Sequence, residues 1–125
     1  MPPSAEPPLA RLRHLLDAAV ADPSEADAGA IADAAGEQFD LLRRTDMRSG
    51  VANMVRRLAR LHASGDQAID RDGWVLLRQA VDMLAKPGLV PGDVRRLDER
   101  LREIGLDVDY RPPMPVHEPA AKNPN

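Results

Sequence analysis

The chain has no cysteine, which removes disulfides, thiolate nucleophiles and Cys-ligated metals at the outset. It is nearly as poor in aromatic residues: Phe39, Trp74 and Tyr110 are the whole set, 2% of the chain. Any core must therefore be aliphatic, and the stacking platforms with which proteins hold single-stranded nucleic acid are scarce. No run of about 18 apolar residues exists, so no segment reads as a membrane-spanning helix. The opening Met1-Pro2-Pro3-Ser4-Ala5-Glu6-Pro7-Pro8 has neither the basic region nor the apolar core of a signal peptide. A cytoplasmic location with no membrane association is the expectation. Excess positive charge is missing too, since a net charge of −3 creates no global field that draws in DNA or an anionic membrane. Lysine is rare, with arginine outnumbering it 15 to 2, and that bias reads as a GC-rich bacterial genome more than as function.

What is present points to helices. A chain of 125 residues can form one domain with its own core, and 43% apolar with 30% charged residues is an ordinary globular balance. The strongest pattern is W-V-L-L-R-Q-A-V-D-M-L-A, from Trp74 to Ala85. At roughly 100° per helical residue its apolar side chains cover about 200° of arc, interrupted only by Arg78, Gln79 and Asp82. A surface helix needs about half that width. This helix should therefore have neighbours on two sides, with the other helices forming a coat around it. Asp70 or Asp72 is placed to cap its start, and Lys86-Pro87-Gly88 stops it because proline cannot continue the hydrogen-bond ladder.

Along the rest of the chain, residues 1–8 carry four prolines and no periodicity, which predicts a disordered lead-in. Pro8 suits the first turn of a helix whose apolar face is Leu9, Leu12, Leu16, Ala19 and Val20. Asp22-Pro23-Ser24 breaks the chain and offers a new cap; the next helix is expected to reach Arg44, with Ala28, Ile31, Ala35, Phe39 and Leu42 as its stripe. Gly36 and the alanines suit close helix approach. Thr45–Ser49 reads as a turn, followed by a helix with Val51, Met54, Val55, Leu58 and Leu61 on one face and Gly65 at its end. Asp66–Gly73 reads as a polar connection. Pro91-Gly92-Asp93 opens a last helix with the stripe Val94, Leu97, Leu101 and Ile104. Gly105 is placed for the left-handed cap position, with Leu106 packing back over the last turn.

Four helices share the spacing 9-12-16-19, 51-54-58-61, 74-77-81-84 and 94-97-101-104, the step of near-parallel bundle packing. The fold class is all-α: a compact up-and-down-like bundle of about five helices with disordered Pro-rich ends. Its divisions are a lead-in over 1–8, the bundle over 9–105 and an extended Pro-rich tail over 106–125.

Chemical motifs are weak. Asp70-Arg71-Asp72-Gly73 has the middle of a calcium-loop spacing, but Ala68 and Gln79 occupy the positions that need an acid; capping explains it better. His14, His62 and His117 include no i,i+4 pair. His62, near a helix C-terminus, is placed to favour the helix dipole when charged. Ser4, Ser24, Ser49 and Ser64 read as cap or loop residues. Asp33, Glu37 and Asp40 line one exposed helix face, without the Glu-x-x-His partners of a two-metal bundle. No catalytic residue, metal site or cofactor is expected, and the reading leans away from an enzyme.

Charge segregation is the remaining signal. Residues 22–40 carry six acids and no base, whereas 43–60 carry six arginines against Asp46 alone. Arg56, Arg57 and Arg60 share a helix face, and arginine's planar fork suits carboxylates and phosphates alike. They are the candidate partner-binding residues of a non-catalytic interaction protein: an adaptor, inhibitor or accessory subunit whose partner is another protein. The alternative is a small DNA-binding regulator using the helices near 48–64 and 73–85. The connection over 65–73 is long for a helix-turn-helix, which normally turns in about three or four residues. Net charge also disfavours nucleic acid as the partner, and no pattern in the chain specifies an oligomeric state.

Overall fold

Aspartate decides where most of the helices begin. The computed structural model describes residues 7–86 and 88–106, with helices α1 (Pro8–Ala21), α2 (Ala28–Asp40), α3 (Met47–Ser64), α4 (Arg71–Leu84) and α5 (Pro91–Glu103). Asp27 accepts from the Ala30 N–H at 3.0 Å, Asp46 from Arg48 at 2.9 Å and Asp70 from Gly73 at 3.1 Å. Each satisfies one of the backbone donors that a helix start leaves open. The first and last helices instead begin with Pro8 and Pro91, whose missing N–H needs no acceptor there. Gly65 and Gly105 end α3 and the α5 turn with φ of 85° and 88°, a region that residues with a Cβ avoid. The expected disordered lead-in and Pro-rich tail lie outside the described residues, except for Pro7, Pro8 and Leu106.

Two boundaries differ from the sequence expectation, for local reasons. Helix α2 stops at Asp40, four residues short of Arg44. The N–H groups of Leu41 and Leu42 bond to the carbonyls of Gln38 and Phe39, each at 3.1 Å, tightening the last turn and leaving Leu41 69% exposed. Helix α3 starts at Met47, inside the stretch expected to be a turn, because Asp46 caps it. The break at Asp22 also holds a short 3-10 helix, Pro23–Glu25, which Asp22 caps, so that Asp27 opens α2.

All five helices meet in one aliphatic core. Helix α1 lies between α2 and α4, α2 packs on α3, α3 on α4, and α5 covers α4 and α3. The expectation that every helix coats α4 is therefore corrected: α4 has α1, α3 and α5 as neighbours, while α2 packs chiefly on α1 and α3. The α2–α3 contact is built from small residues. Ala32, Ala35, Ala52 and Ala59 are buried there, and small side chains let helix axes approach. Gly36 itself faces no backbone; a Cβ placed on it would lie 3.4 Å from Arg56 Cδ. The stripe positions Leu12, Leu16, Val51, Met54, Leu58, Trp74, Leu77, Val81, Leu84, Val94, Leu97 and Leu101 are all buried. Ile104 is not, at 39% exposed, because α5 has already ended at Glu103.

The connection from α3 to α4 is less polar than its sequence suggests. Ile69 is buried, and its N–H donates to His62 Nδ1 at 3.0 Å. His62 also sets its ring edge against Trp74, with centroids 5.2 Å apart at 78°. A ring nitrogen of His62 thus accepts a hydrogen bond from the backbone N–H of the following connection, a contact that its position near the helix end does not announce. Ile69 and Leu106 converge over Gly73: a Cβ there would come within 2.7 Å of Ile69 Cγ2 and 2.8 Å of Leu106 Cδ1. The glycine leaves room for both. Leu106 N–H bonds to Leu101 O at 2.8 Å, and Gln67 Nε2 donates to Gly105 O at 2.8 Å, pinning this end of the bundle.

Candidate interaction surface

Helices α2 and α3 expose a shared surface with opposite charge on its two edges. On α3, Arg60 lies four residues from Arg56 and three from Arg57, so it neighbours both on the helix surface. Arg57 and Arg60 are exposed, as the sequence implies. Arg56 is only partly exposed: it lies across Gly36, its guanidinium carbon sits 5.1 Å from the centre of the Phe39 ring, and its Nη2 donates to Asn53 Oδ1 at 2.5 Å. Its Nε is buried with no acceptor among the described residues. Arg44 approaches the same ring at 4.9 Å. Phe39 therefore carries two guanidinium groups, each contact contributing about 0.5–1 kcal/mol at a partly wet site.

The rest of the charge in this segment sorts cleanly. Arg48 is held by Asp46 through Nη2 at 2.6 Å and Nε at 3.0 Å. The Arg48 side-chain hydrogen bonds pull the Asp46 carboxyl below its ordinary range, partly opposed by burial, and Asp46 in turn raises Arg48. That pair is neutralised in place. Arg43, Arg44, Arg56, Arg57 and Arg60 form no ion pair with any described residue. On α2, Glu37 pairs with Arg11 of α1 at 2.6 Å, whereas Asp33 and Asp40 are exposed and form no ion pair with a described residue.

Sequence reasoning placed Arg57 and Arg60 correctly on the outward face but did not foresee Arg44 or the lean of Arg56 over α2. Helical periodicity tells the direction in which a Cα–Cβ bond leaves the helix. It does not tell where a long side chain ends up once a glycine on the next helix opens space for its methylenes.

Other features resolve into packing or capping. Asp70 caps α4, as one of the two expected candidates, and among the described residues no three His, Asp or Glu side chains group as metal ligands. His14 is exposed. Ser49, expected in a cap or loop, is buried within α3, and its hydroxyl donates to Asp46 O at 2.8 Å. Trp74 is fully buried, with no acceptor among the described residues for its indole N–H. Two grooves lie elsewhere, between α4 and α5, at about 190 and 260 Å³, lined by residues that include Met83, Leu97, Val75 and Ile104. Both are open, shallow troughs and touch none of the candidate arginines. As for a recognition helix, α4 is covered by three neighbours, and its exposed positions include Asp72, Gln79 and Asp82. Arg78 is already bound by Asp17 at 2.7 Å and Asp82 at 2.9 Å. Among the described residues no helix is long and apolar enough to cross a membrane. Comparison with known proteins adds no relative: no family model matches the chain, no curated protein matches it, and no solved structure matches it.

Proposed function

We propose that the chain is a non-catalytic interaction protein, an adaptor, inhibitor or accessory subunit, whose α3 arginines contact an acidic surface on another protein. A bacterial cytoplasmic setting belongs to the same proposal. The observation that carries it is the set Arg44, Arg56, Arg57 and Arg60, which forms no ion pair with the described residues although α2 beside it is rich in acids. Two of these are already held in place on Phe39. Ordering a long side chain in advance lowers the entropy lost on binding, and arginines of this kind often dominate interface energetics.

The test is a pull-down with the wild type and with Arg56→Gln, Arg57→Ala and Arg60→Ala combined. Glutamine keeps part of the Arg56 stem over Gly36, so the melting temperature should stay within a few degrees, as exposed substitutions usually cost about 0.5 kcal/mol or less each. The variant should lose the partner. Wild-type binding should weaken with salt, and duplex DNA should not compete. Unchanged affinity in the triple variant would make the patch a solvated face. DNA binding that falls steeply with salt would replace the adaptor by a regulator.

A further inference from the structure

The α2–α3 surface carries its own complement. Asp33 and Asp40 stand two helical turns apart, on either side of Gly36, and Arg56 of α3 crosses the bundle surface at that glycine. The acidic row of α2 and the basic row of α3 are thus neighbouring strips of one surface, separated by the Arg56 side chain and Phe39. Within one chain the strips do not pair: Asp33, Asp40, Arg57 and Arg60 are all exposed and none forms an ion pair with a described residue. Side by side on parallel-facing surfaces, the two rows point outward rather than at each other.

A two-fold axis lying along the groove between α2 and α3 changes that. Rotation about it sets α2 of one copy over α3 of the other, antiparallel, and does the same for the reciprocal pair. Asp33 and Asp40 of each copy then oppose the Arg57 and Arg60 row of its partner, the self-complementary arrangement that a two-fold interface requires. An axis across the helices fails, because it stacks acid on acid and arginine on arginine. Phe39, half-buried with the guanidinium groups of Arg44 and Arg56 over its ring, lies between the two strips, so the charge pairing is carried by the outer rows.

We infer that the partner of the arginine row is a second copy of this chain, joined through the α2–α3 surfaces in an antiparallel, charge-paired homodimer. The inference rests on the interaction reading above and names the partner. Because it is built mainly from exposed charge, the dimer is salt-sensitive.

Sedimentation equilibrium of the full chain at low ionic strength tests it directly. The expected mass is about double the 13.6 kDa of one chain, returning to the monomer value as salt is raised. Two charge-reversed variants then test the geometry: Asp33→Lys with Asp40→Lys, and Arg57→Glu with Arg60→Glu. Each alone should be monomeric, since both strips then carry one sign. Mixed in equal amounts, they should form a heterodimer, because each basic strip again meets an acidic one. Circular dichroism confirms that the variants are folded, and the wild-type measurement decides the matter should a variant fail. A wild type that stays monomeric at low salt overturns the inference, as does a mixture that shows no association. In that event the pull-down still stands or falls by itself, since a foreign acidic protein is lost with the arginine triple variant whether or not the chain self-associates.

Discussion

Arg78 of α4 holds Asp17 of α1 at 2.7 Å and, within its own helix, Asp82 at 2.9 Å, and Arg71 donates to the carbonyls of Val20 and Ala21 at the end of α1. Between α2 and α3, Arg44 and Arg56 rest on Phe39, and no described carboxylate meets them. The residue type is the same and the use is opposite. On the α1–α4 side, guanidinium groups tie helices to each other, and the hydrogen bonds from Arg78 to Asp17 and then Asp82 raise its already high pKa. On the α2–α3 side buried alanines line the two helices, and the arginines are left without a carboxylate partner among the described residues. Charge that is not needed for the fold is the charge available to a partner.

The largest effect expected is on the packed side. Leu77 is fully buried where α4 meets its neighbours, and Leu77→Ala should cost about 2–5 kcal/mol in a denaturant titration. A change below about 0.5 kcal/mol would break the comparison, because surface substitutions alone cost that little.

An intermediate effect is expected at Asp46, which starts α3 and removes Arg48 from the arginine row. Asp46→Ala should cost about 1 kcal/mol through the lost cap. Its carboxyl is depressed in the folded chain, chiefly by the hydrogen bonds from Arg48, so the charged form is favoured by folding. The associated stability is present above the ordinary aspartate range. It is lost as the pH falls through that range to the lowered folded value. The gap between wild type and Asp46→Asn should therefore narrow on acidification in a series of melts. A gap independent of pH would show that the pair adds nothing beyond the cap.

The smallest effects sharpen the contrast itself. Arg78→Ala should cost up to about 1 kcal/mol, in a salt-dependent manner, since it breaks two partly exposed ion pairs, one to α1 and one within α4. Arg60→Ala should change stability by about 0.5 kcal/mol or less at any salt concentration. Equal costs at the two positions in paired melts would erase the distinction between structural and available arginines.

Much of the architecture was legible in the chain because it is local. Apolar residues at helical spacing, a cap at Asp70 or Asp72, the glycine stops at Gly65 and Gly105 and the return of Leu106 over the last turn all depend on atoms within one or two turns of each other; the structure takes Asp70 for the cap. The exposed setting of Arg57 and Arg60 followed from the same periodicity. Even locally there were misses: Asp46 as a cap lay within a stretch that read as a turn, so the end of α2 was drawn too late.

What only the tertiary structure decided involves side chains brought together by packing rather than by period. Ile69 looked like part of a polar loop until Gly73 and Leu106 gave it a buried seat, and His62 accepts a hydrogen bond from the backbone N–H of that same residue. Arg56 looked outward until Gly36 let its stem lie across α2 towards Phe39. Helical periodicity sets which side of a helix a residue leaves from, because the backbone geometry repeats every 3.6 residues or so. Which neighbour that side then meets is set by how five helices share one core, and no single helix contains that information.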